Sequence, residues 1–276
     1  MDGTERGALF ERVLVEDVPL PDAPLARVIG QLRFGTLSVL ASGDDAAQAF
    51  VKELSEGYPF IEHGLEQTLL FTPGQPVQQA EVGKVWRLRS ADRQSVLALT
   101  NGALTLETAA YPGRTKFCDE LANLAGVLQS VTRVPSYNRI AVRYTNRLTG
   151  AETLGQLTKL VYPEFLGLVG APLGSGTQLS YTLSQSLLSF EGAAKLLVQF
   201  GLLPENGTFD PTLPPATEPS WVLDLDSYEE FPDPRQALAG DPDVVSKAAL
   251  ACAERAHTLF RWAVTHDFLT HFGGQA

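Results

Sequence analysis

Apolar and polar positions alternate from Leu25 to Phe34, with Val28, Leu32 and Phe34 on one face and Arg27, Gln31 and Arg33 on the other. That period of two predicts a half-buried strand. Asp44 or Asp45 can then cap a short helix whose Phe50, Val51 and Leu54 form an apolar stripe. Strand-like runs follow at Glu66–Thr72, Lys84–Ser90, Ser95–Thr100 and Ala103–Thr108. Asn101-Gly102 between the last two marks a tight hairpin, because both positions tolerate positive φ. The period then changes to three and four, placing Phe117, Leu121, Leu124, Leu128 and Val131 along one side of a long helix. Asp119 and Glu120 are expected in its first turn, where the helix dipole favours negative charge, and Pro135 ends it.

The same order recurs. A strand spans Arg139–Leu148 and a helix is expected over Leu157–Val169. Strands are expected around Gln178–Leu183, Leu187–Phe190, Lys195–Leu202 and Trp221–Tyr228. Asp241 caps a closing helix with Pro242 at its first position, its inner face carrying Val245, Ala248, Cys252, Leu259 and Ala263. Arg27–Gln31 lies over Arg139–Arg143, and Leu104-Thr105-Leu106-Glu107 over Leu223-Asp224-Leu225-Asp226. The pattern therefore predicts an α+β fold. Two similar strand-helix-meander-helix halves form one curved, mostly antiparallel sheet with helices on one face. Residues 1–20 are read as an N-terminal arm, 21–136 as the first half and 137–276 as the second half of one joint domain.

Composition narrows the function classes. A chain of 276 residues that is 44% hydrophobic and 19% charged is long enough for a substantial core. The start lacks a basic-then-apolar leader and no run approaches a bilayer span, so a cytoplasmic protein without a membrane partner is expected. Cys118 and Cys252 lack a neighbouring cysteine and read as small buried hydrophobes of a reducing compartment. A net charge of −11 argues against nucleic acid, whose binding rests on Lys and Arg displacing counterions.

Candidate chemistry lies on the polar side of the strands. Arg139, Arg143 and Arg147 recur every four residues and point away from the predicted helices. By the same alternation Arg87, Glu107, Asp224 and Asp226 leave the core. On an open sheet face these groups either pair with one another or form an anion site, since arginine presents a planar fork suited to carboxylate or phosphate. Tyr144 lies on the intervening register and is the neighbouring hydroxyl for an acid/base reading. Glu107, Asp224 and Asp226 could offer oxygen ligands to a cation, but no Asp-rich loop accompanies them, so no metal or cofactor is expected. His63, His257, His266 and His271 are scattered, the last three expected in the closing helix. No nucleophile elbow, phosphate loop or dinucleotide fingerprint occurs. Pro204–Pro219 is a long connection that Phe209 and Leu213 can anchor.

At Trp86-Arg87-Leu88, Leu104-Thr105-Leu106-Glu107-Thr108, Arg143-Tyr144-Thr145-Asn146-Arg147 and Leu223-Asp224-Leu225-Asp226 the chain resembles a sporadically distributed family of uncharacterised bacterial proteins of similar length. The resemblance covers nearly the whole chain, implies a bacterial cytoplasmic protein of one architecture, and brings no activity, cofactor or catalytic residue with it. Three expectations follow. The first is a non-catalytic binding module whose exposed sheet face holds a protein segment or a small anion. The second is a small-molecule enzyme using Glu107, Asp224 or Asp226 as acid/base groups beside Tyr144. The third is a homo-oligomer subunit, or an accessory factor of a defence or toxin system, as sporadic occurrence would suit.

Overall fold

Alternation carries the first strand as expected. In the computed structural model, which describes residues 8–10, 18–70 and 78–274, β1 (Leu25–Arg33) buries Val28 and Leu32 completely. Helices α1 (Ser38–Ala41) and α2 (Asp45–Leu54) follow. The meander comes next, with β2 (Phe60–Leu70), β3 (Gln78–Arg89), β4 (Ser95–Leu99) and β5 (Ala103–Thr108), and then α3 (Arg114–Thr132). Beyond it lie β6 (Ser136–Tyr137), β7 (Arg139–Thr149), α4 (Ala151–Gly155) and α5 (Leu157–Leu160). The chain continues through β8 (Ser184–Ser189), β9 (Ala194–Leu203), β10 (Ser220–Glu230) and β11 (Leu238–Ala239) to α6 (Pro242–Ala263) and α7 (His266–His271). The fold is α+β. Among the described residues, nine strands form one open, mostly antiparallel sheet in the order β2-β3-β4-β5-β1-β7-β10-β9-β8, while β6 pairs with β11.

The chain divides into two compact units. Unit 1 comprises Met1–Ala26, Arg143–Ser227 and Ala253–Ala276, and unit 2 comprises Arg27–Val142 and Tyr228–Cys252. In unit 2, Leu97 faces Leu106 and Leu99 faces Leu104 across the β4–β5 pair, and all four are buried. The apolar side of α3 is buried as its spacing predicts, with Phe117, Leu121, Leu124 and Leu128 at most 3% exposed. Gly30 explains how closely α3 approaches β1. A Cβ there would stand 2.9 Å from Leu121 Cδ2 and 3.2 Å from Phe117 Cε1. The helix begins at Arg114, so Asp119 and Glu120 lie beyond its first turn and serve other elements. Glu120 accepts a 2.9 Å hydrogen bond from Tyr58 Oη, and Asp119 accepts one from Ser246 Oγ. Burial, with Glu120 adding to it, holds the Tyr58 phenol well above its ordinary pKa. Asp44 does not cap α2 with its side chain. It holds Lys84 Nζ at 2.8 Å instead.

The core of unit 1 gathers Trp221, Leu223 and Leu225 of β10, Leu196 and Val198 of β9, and Leu259, Ala263 and Phe268 of the closing helices. Four expectations need correction here. The helix expected over Leu157–Val169 stops at Leu160. Pro163 cannot donate to a helix, and Gly167 takes a φ of 54°, leaving two short 3-10 turns at Pro163–Phe165 and Gly167–Gly170. No strand forms over Gln178–Leu183. There Thr182 N donates to Leu202 O, its carbonyl lies so near Gly201 that a Cβ would collide with it, and β8 begins only at Ser184. His266 and His271 belong to a separate helix, because Thr265 Oγ1 caps it by accepting from Phe268 N at 3.2 Å. Asp241 caps α6 as expected, accepting from the amides of Asp243 and Val244. Ala249 rather than Ala248 completes that helix's buried stripe.

Two further expectations fall wholly or partly outside the described residues. These are the end of the strand placed over Glu66–Thr72 and most of the arm at residues 1–20. No helix among the described residues is long and apolar enough to cross a membrane.

Candidate functional site

A polar constellation of unit 1 is built on two strands and a loop. β7 presents Arg143 and Thr145, β10 presents Asp224, and the Pro204–Pro219 connection contributes Phe209 and Asp210. Arg143 Nε donates to both Asp224 oxygens at 2.9 and 3.0 Å, and Thr145 Oγ1 donates to Asp224 Oδ1 at 2.7 Å. On the loop side Arg143 Nη1 stands 2.8 Å from Asp210 Oδ2, and the guanidinium carbon lies 6.0 Å from the centre of the Phe209 ring. Leu213 of the same loop is 3% exposed, and Pro214 O accepts from Arg147 Nη1 at 2.7 Å. The Pro-rich connection is therefore fastened down on Arg143 and Arg147.

Alternation alone would leave Asp224 on an open surface, yet it is 0% exposed, as is Thr145. Burial pushes the Asp224 carboxyl above its usual range, and Arg143 and Thr145 pull it back only in part. Burial works against the charge of Arg143, but Asp224, then Asp210 and Asp226, outweigh it and raise the guanidinium pKa. The cluster is a buried ion network. Removing one member of such a network costs far more than the whole contributes.

Unit 2 holds a different arrangement four residues earlier on β7. Arg139 Nη1 and Arg33 Nε both donate to Gln31 Oε1 at 2.9 Å. Gln31 Nε2 donates to Thr105 Oγ1, which turns the amide oxygen toward the two guanidinium groups. The Arg139 guanidinium also lies 4.5 Å from the centre of the Tyr228 ring, a distance at which the ring face attracts a cation. Arg33, Asn138, Arg139 and Glu230 line a cavity of about 690 Å³ whose rim includes Pro135, Pro232 and Pro234. Backbone bonds from Asn138 N to Arg33 O and from Phe231 N to Asn138 O, both 2.8 Å, tie its walls together. A second hollow in unit 2, about 730 Å³, is lined by Val51, Ile61, Gly64, Trp86 and the Asp44–Lys84 pair.

The remaining candidates separate. Glu107 belongs to unit 2, where its carboxylate stands 3.9 Å from the buried Arg27. Arg87 is exposed on β3. Tyr144 packs against the core of unit 1, as its register predicts. Asp226 is half-buried on β10 and acts on Arg143 and Asp224 through its charge. The pattern singles out Arg139, Arg143 and Arg147 but misses Asp210, Gln31 and Arg33 as their companions. Gln31 and Arg33 were readable, since they share the polar face of β1. Nothing local distinguishes Asp210 from other loop aspartates. Comparison with known proteins adds no chemistry: no family model and no curated protein matches the chain.

Proposed function

We infer that the protein is a binding module that takes a small anion, a carboxylate or phosphate, at the cavity of Arg33 and Arg139. The observation that carries this reading is that Arg33 and Arg139, which both line the cavity, are held together by 2.9 Å hydrogen bonds to one oxygen of Gln31. Gln31 Oε1 accepts both bonds without bringing charge. A carboxylate or phosphate in the cavity would meet guanidinium groups whose planar forks suit bidentate binding. The volume of about 690 Å³ suits a small ligand, and the proline rim limits the motion that binding would have to arrest. The acid/base alternative has less support. Asp224 is buried and engages both oxygens with Arg143, so it does not meet a substrate from solvent. On the same reading the chain is a bacterial cytoplasmic protein, and the loose agreement of Arg27–Gln31 with Arg139–Arg143 supports an internal duplication.

Isothermal titration with inorganic phosphate and, separately, with succinate tests the proposal. Saturable binding of at least one is expected, weakened about tenfold or more in an Arg33→Gln/Arg139→Gln variant and unchanged in Lys84→Gln. Absence of saturable binding by either anion, or a double variant that binds like the wild type, sinks it.

A further inference from the structure

From Phe165 to Phe190 the chain runs for 26 residues without one Asp, Glu, Lys, Arg or His, although 19% of the whole chain is charged. That stretch ends in β8, the last strand of the open sheet. It also holds Leu168, Leu173, Tyr181 and Leu187, exposed by 58, 40, 53 and 54%. Gly167 lies beside Ser184 and Thr182, so the 3-10 turn bearing Leu168 borders the start of β8.

A terminal strand offers unpaired backbone groups, and proteins commonly guard it with charge or proline. β8, Ser-Gln-Ser-Leu-Leu-Ser, has neither. Thr182 N donates to Leu202 O and Phe190 N to Ala194 O, and the register between them runs from Ser184↔Phe200 to Ser189↔Lys195. In an antiparallel ladder the bonded pairs alternate. Even-numbered residues therefore hold β9, and the N–H and C=O groups of Gln185, Leu187 and Ser189 point off the end of the sheet.

We propose that this edge is a self-association surface, where a second copy of the chain adds its own β8 antiparallel to the first. Symmetry selects that occupant. In a two-fold interface each residue near the axis faces its own mate, so any charge there meets a like charge. For a chain of net charge −11, the surface on which two copies can meet without repulsion is an uncharged one. Serine and glutamine pairs can hydrogen-bond across such a ladder, and the exposed leucines gain a partner. The other end of the sheet contrasts with it: β2 carries the exposed Glu62 and a register irregularity between Glu66 and Gln67.

Light scattering coupled to gel filtration, over a concentration series, should give twice the chain mass of 29.8 kDa for the wild type. Leu187→Pro removes the central outward N–H without removing a β8–β9 bond. Leu187→Lys places a charge opposite its own copy. Both variants should run as monomers with an unchanged circular dichroism spectrum, and the lysine variant alone decides if the proline variant does not fold. A wild type that stays monomeric throughout, whether or not it binds an extended peptide or lipid vesicles, overturns the proposal. So does a dimer that survives Leu187→Lys.

Discussion

Arg139 and Arg143 stand four residues apart on one strand with the same parity, and they reach opposite surroundings. Arg143 is gripped by Asp224 from β10 and Asp210 from the loop. Arg139 meets an amide oxygen and a tyrosine ring at the wall of a cavity. The difference teaches that an arginine's task is set by what distant segments deliver to it. Two carboxylates and a covering loop turn Arg143 into internal structure, whereas Gln31, Arg33 and Tyr228 hold Arg139 as a fork beside a cavity.

Removing the carboxylate at the centre of the buried network should break the contrast most severely. Asp224→Ala is expected to destabilise the fold by about 3 kcal/mol, because Arg143 keeps its burial and loses its main partner. Urea denaturation measures it, and a loss no larger than that of a surface substitution would make Arg143 no more structural than Arg139. Acidity sharpens the same point. Since burial raises the Asp224 carboxyl in the folded chain, the unfolded chain gives up that proton at lower pH. The wild type should therefore lose stability relative to Asp224→Asn as the pH rises from the ordinary aspartate value of 3.8 through the folded one. Paired melting curves follow this gap. Movement in the opposite sense would mean that Arg143 outweighs burial.

Asp210→Ala comes next, at roughly 1–2 kcal/mol, since Asp224 still holds Arg143. Its more telling effect is local. Proteases should cut within Pro204–Pro219 sooner than in the wild type, and equal cleavage would show that Leu213 and the Arg147–Pro214 bond fasten the loop without Asp210. The smallest effect belongs to the other arginine. Arg139→Ala should cost roughly 1 kcal/mol, the worth of its hydrogen bond to Gln31 and its ring contact, and thermal unfolding checks it. A cost rivalling that of Asp224→Ala would erase the distinction between the two positions.

Much of the fold could be read from local pattern, because the physics there is local. The hairpin at Asn101-Gly102, the alternation of Leu104 and Leu106, and the stripe of Phe117, Leu121, Leu124 and Leu128 each depend on neighbours within one element. What failed depends on interruption or on distance. Apolar spacing over Leu157–Val169 resembles a helix until Pro163 and Gly167 break it. Alternation gave Arg139, Arg143 and Arg147 a common face, but it holds no record of what covers that face. Asp210 and Leu213 arrive from a loop more than sixty residues further along the chain, and their arrival makes a surface into an interior. Gln31 reaches Arg139 across a separation of 108 residues. Pairings over such distances are set by topology, and periodicity is silent about them.

The way the chain is shared between its units bears on how it can be made. Translation delivers all of unit 2 once residue 252 has emerged, whereas unit 1 also needs Ala253–Ala276. Leu259, Ala263 and Phe268 arrive with that stretch, so the strands they cover must wait, apolar faces unshielded, until it emerges. A message broken off before that point would yield a polypeptide with one finished unit and one that has no means of closing.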